Sequence, residues 1–196
     1  MPRHDDLMST LAEHAVTALR EAGAVLTPGL TTEELATLEE QWGIEFSADH
    51  AEFLQLAVPL GEGWVDWRGP AEPVAQLLRV PTAGLLFDVE HNEFWPASWG
   101  ERNSDLVKAL QLASDQLAGW PRLLPPYGHR YLPPRPLVSP SPVFSVVQSD
   151  VTYFGFDLVE WVQREFFGVP LPTGRGRRPS VPHWTQLAEG SEDFDL

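Results

Sequence analysis

The sequence predicts an α+β fold, with helices first, strands after them and a helix at the close. Capped, amphipathic segments fill the first sixty residues, β-branched and aromatic runs crowd residues 123 to 155, and a further capped helix closes that stretch. With 196 residues, 43% of them hydrophobic, one domain with a substantial core is expected. Three parts are read along the chain: an N-terminal helix and linker over 1–28, the domain over 29–168, and a tail over 169–196 that is Pro/Arg-rich and then acidic.

Leu7, Leu11, Ala15, Ala18 and Ala22 recur at helical spacing, which predicts a first helix from about Leu7 to Glu21, ended by Gly23. Next, Thr31 is placed to cap the free N–H groups of a second helix while Glu34, three residues on, reaches back. Leu30 and Leu35 clip together across that cap. Leu35, Leu38 and Trp42 share a face, and Gly43 stops the helix. Ser47 opens a third helix with Phe53, Leu54 and Ala57 inward, so the two form a helical hairpin. From Pro59 to Pro81 glycines and prolines interrupt any long element, and Trp64-Val65-Asp66-Trp67 reads as a short strand or loop anchor. Thr82 to Val89 is an apolar run without a clear period, read as a buried strand or turn.

Ser104 to Leu117 predicts another helix, with Leu106, Leu110, Ala113 and Leu117 on one face. Tyr127 to Leu132 reads as a strand carrying His129. Val143 to Gln148 and Val151 to Phe154, separated by Ser149-Asp150, read as a hairpin. Asp157 caps a closing helix with Phe156 and Trp161 as its staple. Beyond Val169 the chain reads as a tail with little apolar surface to bury, although Trp184 and Leu187 are able to dock locally.

Charge and composition narrow the chemistry. Thirteen basic against 28 acidic residues give a formal charge of −15, which argues against phosphate-driven nucleic-acid binding and for basic partners. The absence of cysteine removes disulfides, thiolate zinc sites and a cysteine nucleophile. The acidic start, Met1 to Asp6, lacks the character of a signal peptide, and no apolar run is long enough to span a membrane, so a cytoplasmic protein is expected. No phosphate loop, dinucleotide fingerprint, GxSxG elbow or HExxH pair occurs.

Two groups of residues remain as candidates. Asp88 and Glu90 fall on one side of an extended segment, with His91 next and His129 on a strand. They allow an oxygen–imidazole metal site or a carboxylate pair for hydrolysis. The favoured reading is structural, with these carboxylates capping turns or pairing with Arg68, Arg102 or Arg130. Trp64, Trp67, Trp95 and Trp99 gather in the irregular middle beside Asp66, Arg68, Asp88 and Glu90. Aromatic anchors ringed by polar groups are the make-up of a protein interface, and packing of a long loop is the alternative.

In order, the stretch Leu30 to Gly43 with Phe53-Leu54, then Trp67-Arg68, Leu86 to Glu90, Phe94-Trp95 and Trp99-Gly100 resembles the SUKH superfamily of Smi/Knr-like proteins. So do Tyr127 to Tyr131, Pro142 to Val146 and Asp150 to Gly155. The resemblance runs from about Gly29 to Phe167. It departs from the family's pattern at Phe46 to Asp49, where a Leu-Pro entry is usual, and at the turn Val58 to Gly61. It implies helices on a mostly antiparallel sheet and a non-enzymatic, cofactor-free protein-binding role. Its bacterial members imply an immunity protein that occludes a polymorphic toxin, often a nuclease. On that reading a basic toxin domain meets a surface of Trp64, Asp66, Trp67, Arg68, Asp88, Glu90, His91, Trp95 and Trp99, with His129 and Arg130 beside it. The alternatives are a regulatory adaptor, or a small hydrolase using Asp88 and Glu90 with His91 or His129.

Overall fold

Strands Leu124–Tyr127 (β3), Arg130–Leu132 (β4), Val143–Val147 (β5) and Asp150–Gly155 (β6) form an antiparallel sheet in the order β3-β4-β5-β6 in a computed structural model. The structure describes residues 4–135, 140–172 and 180–190, with side chains from residue 11 onward. A second, two-stranded antiparallel sheet pairs Val25–Pro28 (β1) with Ala57–Leu60 (β2). The molecule is therefore α+β. Because side chains alternate along a strand, the larger sheet separates two cores. Leu132 and Val143 join one, with Phe53, Leu158 and Trp161. Tyr131, Phe144, Val146, Val151 and Tyr153 join the other, with Leu85, Trp99 and Trp184.

The first core is covered by His4–Glu21 (α1), Thr32–Trp42 (α2), Ala48–Leu56 (α3) and Leu158–Phe167 (α6). The expected caps are present. Thr31 Oγ1 accepts from the Glu34 N–H at 3.1 Å while the Glu34 carboxylate accepts from the Thr31 N–H at 2.8 Å, and Gly43 closes α2 at φ 58°. Ser47 and Asp157 cap α3 and α6. The details differ from expectation in several places. The inward face of α1 is Ala12, Ala15, Val16 and Leu19, with Ala22 exposed. Helix α3 follows α2 in sequence but packs chiefly on α1, which also lies against α6. Ala57, expected on the third helix, and residues 58–60, expected in a turn ending at Gly61, are strand β2, and Thr27 Oγ1 donates to the Val58 carbonyl across the pair at 2.8 Å. Phe156 and Trp161, expected to clip together, belong to different cores. Glu160 accepts from the Phe156 N–H instead, at 3.0 Å.

Over residues 71–91 the expectation fails. What read as interrupted chain and then a buried strand is one helix, Ala71–His91 (α4), with Pro81 inside it. Pro73 sits in the first turn, where an N–H has no partner within the helix. Pro81 cannot donate to the Leu77 carbonyl, and the Tyr131 hydroxyl from the sheet donates there at 3.3 Å in its place. Gly84 lets the β5–β6 turn approach, since a Cβ there would stand 2.9 Å from Gln148 Cα. That turn is Gln148-Ser149, one residue earlier than expected, with Gln148 at φ 57°. His129, expected on a strand, lies in the Gly128-His129 turn between β3 and β4.

The second core is closed by the far half of α4, by Leu106–Leu117 (α5) and by Trp184–Gly190 (α7). Asp105 caps α5, whose inward residues are Ala109, Ala113 and Leu117, while Leu106 is exposed. The expected tail is partly core. Val181, Trp184 and Ala188 are buried against β6, the Trp184 indole N–H reaches the Pro121 carbonyl at 2.8 Å, and Tyr153 bonds Thr185. The Arg175–Arg178 cluster and the acidic end at 191–196 lie outside the described residues.

Candidate protein-interaction surface

The residues singled out in the sequence divide between the two ends of α4. At its start, Trp64 forms an isolated bridge with Tyr127 and stacks on Phe166 at 5.7 Å. Trp67 is buried edge-on to Phe46 at 5.0 Å, and His50 lies beneath both. Arg68 closes the loop. Its Nε and one Nη grip Glu34 at 2.7 and 2.8 Å, and its two Nη atoms donate to the Pro28 and Gly29 carbonyls at 2.9 Å. The Arg68 bond, with the Thr31 N–H second, lowers the Glu34 carboxyl to about 2. Asp66 is exposed and accepts from the Arg68 N–H at 3.2 Å.

At the other end, helical geometry separates the two carboxylates that an extended chain would have placed together. Two residues on a helix point about 200° apart. Asp88 is buried, and it holds the structure together there. One oxygen accepts from Asn92 Nδ2 at 2.6 Å and the other from the Ser149 N–H at 2.7 Å, tying the β5–β6 turn to α4. Burial acts to raise its carboxyl, but the bonds from Ser149 and Asn92 outweigh it and the net shift is downward. Glu90 is exposed beside His91, whose Nδ1 lies 3.1 Å from the Phe87 carbonyl and whose ring stacks on Phe87 at 4.2 Å. Trp99 is buried edge-on to Trp95, and the Trp95 indole donates to the Gly100 carbonyl at 2.8 Å. The 64–68 loop and the 88–99 segment flank a helix of 21 residues, about 30 Å long, so they do not form one patch.

His129 is exposed in its turn, and partial burial followed by the Arg130 charge lowers its affinity for a proton. Arg130 is buried between Glu165, which its Nε reaches at 2.5 Å, Ser145 at 2.9 Å and the Phe154 ring at 3.5 Å. Among the described residues no group of three His, Asp or Glu side chains is placed to hold a metal ion.

One surface feature was not anticipated. Gln76, Val80, Ala83, Phe87 and His91 recur at three- and four-residue steps on the outer side of α4, opposite the buried Val74, Leu78, Leu85 and Val89. They form a stripe about 20 Å long. Phe87 is 45% exposed and Val80 41%. Glu72 and Glu90 flank it on one side, and the β5–β6 turn, fastened by Asp88, bounds the other. The periodic signal was present in the sequence but hidden by Pro81, which argued against a helix.

Compared with known proteins, the chain matches no family model, no curated protein and no solved structure. Among the described residues no helix is long and apolar enough to cross a membrane.

Proposed function

We propose that this chain is a non-enzymatic protein-binding domain whose partner is basic, and that the outer face of α4 is where it binds. The observation that supports this is the exposed Val80–Ala83–Phe87–His91 stripe, edged by Glu72 and Glu90, on a protein of charge −15. An aromatic anchor within an acidic rim supplies buried area at its centre and steering at its edge. Glu90 and His91 thus keep the binding role suggested by the sequence. Trp67, Asp88, Trp99 and Arg130 serve as framework, engaged by neighbours inside the molecule.

The finer reading is a SUKH-type immunity protein that acts in the cytoplasm by covering the active surface of a toxin domain. It rests on the order of motifs from Leu30 to Phe167, together with the capped α2–α3 pair and the antiparallel sheet that follows. Affinity capture from the native cell, at low and high salt, tests it. A basic protein bound one-to-one, released by salt and inactivated in the complex, supports the immunity reading. A bound endogenous regulator without toxic activity makes the protein an adaptor instead. Capture that is unchanged by Glu72→Gln with Glu90→Gln, in both affinity and salt dependence, removes the acidic rim from the account.

A further inference from the structure

On the side of α4 away from the stripe, a groove of about 300 Å³ opens between α4, α5 and the loop at Trp120–Arg122. Its floor is apolar, from Leu78, Pro81, Leu117 and Trp184, and its rim carries two guanidinium groups, Arg79 and Arg122. The hydroxyl-bearing residues Thr82 and Ser114 also line it. In a chain with 28 acidic residues, two arginines facing one groove stand out. The nearest carboxylate to Arg79 is Glu72, at 4.0 Å with both side chains well exposed. Arg122 is bound through one Nη to the Trp42 carbonyl at 2.9 Å, and among the described residues no acidic side chain pairs with it.

Arg122 is held in place from both sides. The Trp42 carbonyl orients its guanidinium, and the preceding Pro121 is tied by its carbonyl to the Trp184 indole at 2.8 Å. Burial, and then the charge of Arg79, act against its protonated form, and the two side chains line the same groove. Two cations lining one groove are stabilised by an anion between them, and a planar guanidinium suits a carboxylate or phosphate oxygen pair.

We infer that the Arg79–Arg122 groove is a binding site for a small oxyanion, a carboxylate or a phosphate monoester, beyond the Glu72 edge of the protein-binding face of α4. The volume is at the lower end for ligand sites and fits a compact molecule. The hydroxyls of Thr82 and Ser114 supply further donors, and the apolar floor takes the ligand's carbon frame.

Calorimetric titration of the full chain with inorganic phosphate and with succinate, at low ionic strength, tests this. Wild type and Arg20→Gln, a control substitution on α1, are expected to bind at least one of the two anions at a single saturable site. Arg122→Gln and Arg79→Gln are each expected to weaken that binding about tenfold, the loss of one charge-assisted bond. Preference for phosphate or for succinate then tells the phosphate source from the carboxylate source. Arg79 makes its backbone hydrogen bond within its own helix, to the Ala75 carbonyl at 3.1 Å, so Arg79→Gln carries the comparison if loss of the Arg122 bond to Trp42 stops the chain folding. No saturable binding of either anion, or binding equal in wild type and both groove variants, overturns the inference.

Discussion

In the loop that leads into α4, Trp67 packs edge-on against Phe46 and His50, and Arg68 uses its donors on Glu34 and two carbonyls. Along the outer face of the helix that follows, the one ring that Phe87 meets among the described residues is its own helix neighbour His91, and Glu90 faces solvent. Both regions combine an aromatic ring, a carboxylate and a basic or imidazole group. In the first, the partners come from distant parts of the chain and the group is consumed in folding. In the second, nothing in the described residues covers the ring. Residue type therefore does not distinguish framework from interface in this protein. The source of each group's partners does.

Four substitutions or conditions sharpen that contrast. The largest effect belongs to Trp67→Ala, which empties a packed aromatic site. A loss of about 3–5 kcal/mol in unfolding free energy is expected by urea denaturation, and a loss under about 1 kcal/mol would return Trp67 to the surface. Second comes acid. His50 is fully buried with neither ring nitrogen bonded among the described residues, and burial holds it down to about 3. The unfolded chain takes up a proton near 6.5 while the folded one does not, so stability falls as pH drops through that window toward about 3. The slope is about 1.4 kcal/mol per pH unit, or roughly 2 kcal/mol between pH 6.5 and 5. His50→Leu should remove that share of the slope in pH-dependent melting.

Third, Arg68→Met should lower stability less than the loss of His50's share of the acid slope, because its ion pair with Glu34 is more than one-third exposed and screened by solvent. Thermal melting at two salt concentrations reads it. The smallest effect on stability is expected from Phe87→Ala, within about 0.5 kcal/mol of wild type, since the ring lies on the surface. Its effect on binding runs the opposite way.

What the sequence made legible was local. Thr31 with Glu34, Ser47, Gly43 and Asp157 each act within four residues, and all of these helix ends lie where expected. Helix α4 was illegible because its integrity depends on Tyr131, 54 residues away, supplying the donor that Pro81 lacks. Docking of α7 depends in the same way on the Tyr153–Thr185 bond and on the Pro121 carbonyl beneath Trp184. The misplaced helix then misplaced the candidate site. Read as extended chain, Asp88 and Glu90 stood together, whereas on α4 one is buried and the other faces outward. Phe87, the ring left between them on the open side, was passed over as part of a buried run.

Retention of a salt-sensitive basic partner by wild-type and Phe87→Ala baits, measured side by side with their melting temperatures, tests the central claim most directly. The account predicts equal melting and at least about tenfold weaker partner binding by Phe87→Ala, the loss of one interface anchor. Equal binding by the two baits, or a parallel fall in melting temperature, would contradict it.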